Sequence, residues 1–229
     1  MRLDRFIGHK LRIGNKAIRQ LLLERRVRVG DALMENRRYE VSEFCRVSVD
    51  GEVLQDRVAL YVMLNKPSGC VSVRNDPVYP SAFDWVGLPG GEELHTAGRL
   101  DLDTTGLLLL TNDGAWSRRL TDPQSKKPKT YLVETSDPIG LDCKEGFAKG
   151  IHLMPEDVVT QPAAMEILGE RVARLTIYEG KYRQIKRMFW RFENKVVKLR
   201  RESMGEIVLD SSLSPGEYRE LTAEEIATV

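Results

Sequence analysis

The sequence predicts an α+β protein in two domains. A chain of 229 residues is long for one small core and comfortable for two. Apolar residues recur at helical spacing near the start and then mostly in short runs of strand length. Strands and helices follow each other in irregular order, which argues against a doubly wound parallel sheet.

The first domain is expected to span residues 1–57. Leu3, Phe6, Ile7 and Leu11 share one helical face, and Ala17, Ile18, Leu21 and Leu22 share another, with Asn15 as the expected N-cap of the second helix. Val27 and Val29 then alternate with Arg26 and Arg28 before a tight turn at Gly30-Asp31. A second hairpin is expected at Asp50-Gly51. The second domain, residues 60–229, should hold strands at 60–64, 69–73, 107–111, 130–135, 163–167 and 173–178. Helices are expected at 115–120, 141–149 and 182–192. The connection from Arg74 to His95, broken by Pro77, Pro80 and Pro89-Gly90-Gly91, reads as a long loop able to close over a substrate.

Hydrophobic residues make up 41% of the chain, enough for packed cores and too many for a disordered one. No apolar run approaches the roughly 18 residues of a membrane span, and Met1-Arg-Leu-Asp lacks the apolar segment of a signal peptide, so a cytoplasmic protein with no membrane partner is expected. Cys45, Cys70 and Cys143 are scattered and fit reduced thiols. None is spaced from another cysteine, or from His9, His95 or His152, as metal ligands are. The net charge of +1 conceals two basic patches: nine cationic against two acidic residues over 1–30, and nine against one over 181–201. Such a distribution suits a protein that grips a polyphosphate at two points.

Residues 98–114 run from a polar turn carrying Arg99, Asp101 and Asp103 straight into Leu107–Leu110. A strand of four leucines can be buried on both faces, leaving the charged turn rigidly mounted at its mouth. By itself the turn could equally be a solvated loop, or an Asp-x-Asp pair for a metal in sugar-nucleotide transfer, although no Gly-rich phosphate loop accompanies it. The stretch Gly98-Arg-Leu-Asp-Leu-Asp-Thr-Thr-Gly-Leu-Leu-Leu-Leu-Thr111 resembles the catalytic motif of the pseudouridine synthases that act on ribosomal RNA. Tyr61-Val-Met-Leu-Asn-Lys-Pro-Ser-Gly69, Lys129-Thr-Tyr131 and Glu179-Gly-Lys-Tyr-Arg-Gln-Ile-Lys-Arg-Met188 are similar to the other motifs of that family, in the order it requires. Met1-Arg-Leu-Asp-Arg-Phe6 is similar to the opening of the small RNA-binding domain named after ribosomal protein S4, although the glycine common before its first strand is missing at Leu23–Arg26.

The resemblance implies an S4-like N-terminal domain and a catalytic domain on a mixed, largely antiparallel sheet. It further implies isomerisation of one uridine of 16S ribosomal RNA, in a small-subunit assembly intermediate, by a monomer without cofactor. Related enzymes modify 23S rRNA with the same motifs, and a non-catalytic RNA-binding assembly factor would show the same basic patches. Asp101 is implied as the carboxylate acting at the anomeric carbon, by covalent adduct or by a glycal-like route. Lys186, two positions after Gln184, is implied as its ion partner, and Tyr131 as the ring that stacks on the extruded uracil. Arg99 is the candidate for filling the space the base vacates, Asp103 for hydrogen-bonding the loop, and the Asn65-Lys66-Pro67 turn for bracing the cleft. Lys16 and Arg19, with Arg183, Arg187 and Arg191, are candidate contacts to the RNA backbone.

Deleting residues 1–57 is expected to leave a folded catalytic domain that binds RNA more weakly, with a flatter dependence of log K on log salt. Filter binding across a salt series measures the slope; an unchanged slope would mean that the N-terminal patch touches no phosphates.

Overall fold

A computed structural model describes all 229 residues, which divide into two compact units, Met1–Ala59 and Leu60–Val229. In the first unit α1 (Leu3–Leu11) and α2 (Asn15–Leu23) are followed by β1 (Val27–Val29), β2 (Ala32–Leu33), β3 (Val47–Val49) and β4 (Glu52–Gln55). The strands form one sheet in the order β2-β1-β3-β4. Asp50 and Gly51 both adopt positive φ, the backbone that a two-residue hairpin between β3 and β4 demands. Leu3, Phe6 and Ile7 of α1, Ile18, Leu21 and Leu22 of α2 and the valines of β1 and β3 make the core. Asn15 is the first residue inside α2, and Gly14 takes the N-cap position without a side-chain bond, so the expected asparagine cap does not form.

The second unit is built on a nine-stranded sheet. Its elements are β5 (Tyr61–Lys66), β6 (His95–Thr96), β7 (Thr105–Thr111), α3 (Gly114–Thr121), β8 (Lys129–Thr135), α4 (Leu141–Lys149), a small ribbon of β9 (His152–Leu153) and β10 (Val158–Val159), β11 (Ala164–Gly169), β12 (Val172–Ile177), α5 (Gln184–Trp190), β13 (Val196–Met204), β14 (Ile207–Val208), β15 (Tyr218–Glu220) and α6 (Ala223–Ala227). The main path runs β11-β12-β8-β13-β7-β5-β15, with β14 beside β13 and β6 beside β7. Every pairing is antiparallel except that of β13 with β7.

β7 is the centre of this unit. Leu108 and Leu110 pack in a core with Phe147 of α4 and with Met188 and Phe189 of α5, whereas Leu107 and Leu109 pack with Trp116 and Leu120 of α3. All four leucines are fully buried, as a strand covered on both faces requires. Asp113 caps α3 by accepting from the amides of Ala115 and Trp116, so the helix starts directly after the strand turns.

Two expectations are corrected. Residues 69–73 form no strand; Ser72 instead exchanges two hydrogen bonds with the backbone of Leu100, which ties this segment to the polar turn. The connection 74–95 is anchored rather than free to close. Ala82 and Leu94 are buried in the core, and Arg74 lies over the Phe83 ring while donating to the carbonyls of Gly91 and Leu94.

Gly106 sits where β7 meets β13 in parallel. Its φ is +93°, and a Cβ there would lie 2.3 Å from the Arg201 carbonyl oxygen. Gly106→Ala combines a backbone conformation hostile to L-residues with a clash against an immovable strand, so a loss of about 3 kcal/mol or more is expected. Urea unfolding of the variant and its parent measures the difference.

Candidate active site

One cavity of about 560 Å³ collects the polar turn, the start of β8, the segment leading into α5, and β13. Its wall includes Arg99, Asp101, Tyr131, Arg183 and Lys186, five of the candidate residues, drawn from three distant stretches of sequence. Its volume falls within the range of ligand pockets, roughly 300–1,000 Å³.

The turn owes its shape to a buried cation. The Lys66 side chain has no exposed surface, and its ammonium donates to the carbonyls of Pro67 at 3.1 Å, Leu102 at 3.3 Å and Thr104 at 2.9 Å. All three ammonium protons therefore find acceptors inside the protein. Burial pushes Lys66 down from the ordinary lysine value, and the charges of Asp103 and Asp101 pull it part of the way back. The amide of Gly69 donates to the second lone pair of Leu102, and Ser72 holds Leu100. Both neighbours of Asp101 are thus fixed through backbone contacts, and Asp101 itself lines the cavity.

Lys186, half-buried on α5, reaches both oxygens of Asp103 at 2.5 Å. The cation that the sequence assigned to Asp101 is therefore held by the carboxylate two residues on. Burial would raise the Asp103 carboxyl, but the hydrogen bond and charge of Lys186 keep it below the usual value. No three His, Cys, Asp or Glu side chains come together in the protein as metal ligands.

Tyr131 points from β8 into the same wall and is 7% exposed. Arg183 stands at the N-terminus of α5 with positive φ, and Arg99 lies exposed on the turn. Arg187 and Arg191 do not line the cavity. Arg187 is spent inside the protein, on Glu156 and on the carbonyls of Met154 and Tyr182, whereas Arg191 is exposed. Lys16 and Arg19 are exposed on α2 of the first unit.

The sequence reading missed two cavity residues. Arg201, counted there only as part of the basic patch over 181–201, is 2% exposed and lies in the cavity wall, and Lys129 lines it beside Tyr131. The signal was present: Leu199 and Arg201 are two apart on one strand and so share its buried face. Two buried side-chain polar atoms have no partner, Thr104 Oγ1 and Arg201 Nη2, and both belong to cavity-lining residues. Orphaned groups at one site mark a place where a ligand completes the hydrogen bonding.

Residues 60–190 match the model of the RNA pseudouridylate synthase family, and the chain belongs to that family. Along its whole length it is 47% identical to the ribosomal small subunit pseudouridine synthase A of Pseudomonas aeruginosa and 44% identical to the protein of the same name from Escherichia coli, in each case covering 100% of both chains. A solved structure described as a pseudouridylate synthase superposes with a TM-score of 0.73 at 41% identity, covering 100% of this chain and 99% of that one.

Lys66→Met removes the cost of burying an ammonium while leaving three carbonyls without their donor. These terms oppose, so stability is expected to change by no more than about 2 kcal/mol. Turnover should fall by about tenfold or more, because the turn carrying Asp101 loses its anchor. Urea melts beside single-turnover rates separate the two effects.

Proposed function

We propose that the protein is a cofactor-independent isomerase that converts one uridine of 16S ribosomal RNA to pseudouridine. The observation that carries this reading is the convergence of Asp101, Tyr131 and Lys186 on one cavity, each within a motif that resembles the family's. The relatives named ribosomal small subunit pseudouridine synthase A, matched over their full length, favour small-subunit RNA over 23S rRNA as substrate.

The reaction breaks the bond from nitrogen 1 of uracil to ribose carbon 1′ and joins carbon 5 to the same carbon, with no redox equivalent or group donor consumed. Asp101 acts at the ribose, as nucleophile on carbon 1′ or as base for a ribose proton. The Lys186 charge is held by Asp103, two residues after Asp101, at the same turn. The Tyr131 ring stacks on the extruded uracil, and its hydroxyl assists removal of the carbon 5 proton. Arg99 occupies the gap the base leaves.

Arg183 and Arg191 hold phosphates beside the cavity, and Arg187 joins them only by releasing Glu156. Lys16 and Arg19 of the S4-like first unit grip the backbone without reading sequence. The enzyme works as a cytoplasmic monomer on an assembly intermediate of the small subunit.

Asp101→Asn is expected to abolish pseudouridine formation and leave RNA affinity nearly unchanged. Single-turnover assays beside filter binding test this; activity within about tenfold of the parent, roughly 1.4 kcal/mol of barrier, would overturn the role of Asp101.

A further inference from the structure

Arg201 presents a problem in electrostatics. Its guanidinium is 2% exposed, and its one side-chain hydrogen bond runs from Nε to the carbonyl of Leu107 at 2.7 Å. The Nη2 atom is buried without a partner, and the group takes part in no ion pair. Lys129 lies on the same wall with its ammonium bonded to the Lys127 carbonyl at 3.2 Å and likewise has no acidic partner. Burial and the Arg201 charge both push Lys129 down from the ordinary lysine value, and the Glu179 charge pulls it only part of the way back.

Neither carboxylate of the wall forms an ion pair with them. Asp101 faces the ribose chemistry, and Glu179 is already committed to the Lys181 ammonium at 2.7 Å, the Gln184 amide at 2.9 Å and the Gln161 backbone at 2.9 Å. A buried arginine without a counter-ion, with a half-buried lysine beside it, is costly unless a negative charge arrives during the working cycle.

Their position says which charge that is. Arg201 lies directly across the β8–β13 ladder from Tyr131, and Lys129 is two residues before Tyr131 on β8, so all three project from one face of the sheet. Given that Tyr131 stacks on the extruded uracil, a reading on which this step rests, both cations lie beside the base. When the bond from nitrogen 1 to carbon 1′ breaks, its electron pair stays on uracil as an anion spread over nitrogen 1 and the carbonyl oxygens. Carbon 5 then bonds to carbon 1′ and loses its proton, and nitrogen 1 gains one, so the sum is an isomerisation. The anion forms whether Asp101 attacks carbon 1′ or removes a ribose proton.

We infer that Arg201 and Lys129 are catalytic residues that donate to the carbonyl oxygens of the detached uracil and stabilise its anion. Their unspent donors are fixed before the charge appears, which is the condition for electrostatic stabilisation of a transition state.

The test compares two RNA substrates, one with uridine and one with 5-fluorouridine at the target position. Fluorine withdraws electrons and makes the base a better leaving group, so less help from the protein is needed. Arg201→Met and Lys129→Met are assayed at saturating RNA for single-turnover loss of the N-linked nucleoside, by mass spectrometry of nuclease digests, with Kd from filter binding. On uridine each should lose about 10²-fold in rate, in the range of other lost anion-hole donors, with Kd within about threefold of the parent. On 5-fluorouridine the deficit should shrink by about fivefold or more.

Equal deficits on both substrates, or losses confined to Kd as a phosphate contact would give, overturn the assignment. Arg201 also braces Leu107, so if its variant does not fold, Lys129→Met alone decides, since Lys129 makes no bond to the core strand. An active parent with unaffected variants sinks this assignment only; a parent that forms no pseudouridine sinks the functional reading as well.

Discussion

The buried ammonium of Lys66 is the contact on which the site depends. It comes from the end of β5, the neighbour of β7, and binds the backbone on both sides of Asp103. A turn of polar residues at the surface would ordinarily sample many conformations. Here two of its carbonyls converge on a buried ammonium whose third acceptor is the Pro67 carbonyl, so loosening the turn means leaving a charge in the interior with most of its acceptors lost. The same lysine supplies a positive field behind Asp101 and Asp103 from the protein side, while Lys186 supplies another from α5. Two carboxylates two residues apart are tolerated because both lie within the field of Lys66 and one is also paired with Lys186.

The fold reinforces this arrangement. β7 is clamped between α3 on one face and α4 with α5 on the other, and the helix that covers it also delivers Lys186. Packing and chemistry share one element: Ile185, Met188 and Phe189 hold α5 down, and Lys186 stands between them on the arc that is left. The apolar stripe is what makes the position of the cation reproducible.

Much of this could be read from the residues. The helix at 141–149 and the strand at 107–111 follow from apolar spacing alone, and the three motifs that carry Asp101, Tyr131 and Lys186 do line one cavity. β13 escaped because Lys198, Arg200, Arg201 and Glu202 crowd its nine residues, and a bulge between Arg201 and Ser203 breaks the alternation that would have exposed the pattern. Residues 69–73 carried strand-like composition, yet their hydrogen bonds go to the turn at Leu100, a tertiary partner that local spacing cannot reveal. The partner of Lys186 was misplaced by two residues for a similar reason. Asp101 and Asp103 are equivalent in a motif, and only the path of the backbone decides which one α5 can reach.

Because β13 lies between β8 and β7, the cavity has a caliper built into its sheet. The strand that bears Tyr131 and the strand that follows Asp101 are held two interstrand spacings apart, about 10 Å, a distance set by backbone hydrogen bonding and indifferent to side-chain identity. Gly106, pressed against the Arg201 carbonyl, leaves that spacing no slack. On the proposed function, a slot of fixed width would accept one planar base from any RNA. Discrimination among uridines would then fall to the exposed rim, where Arg99, Tyr182 and Arg183 line the cavity mouth above the buried residues.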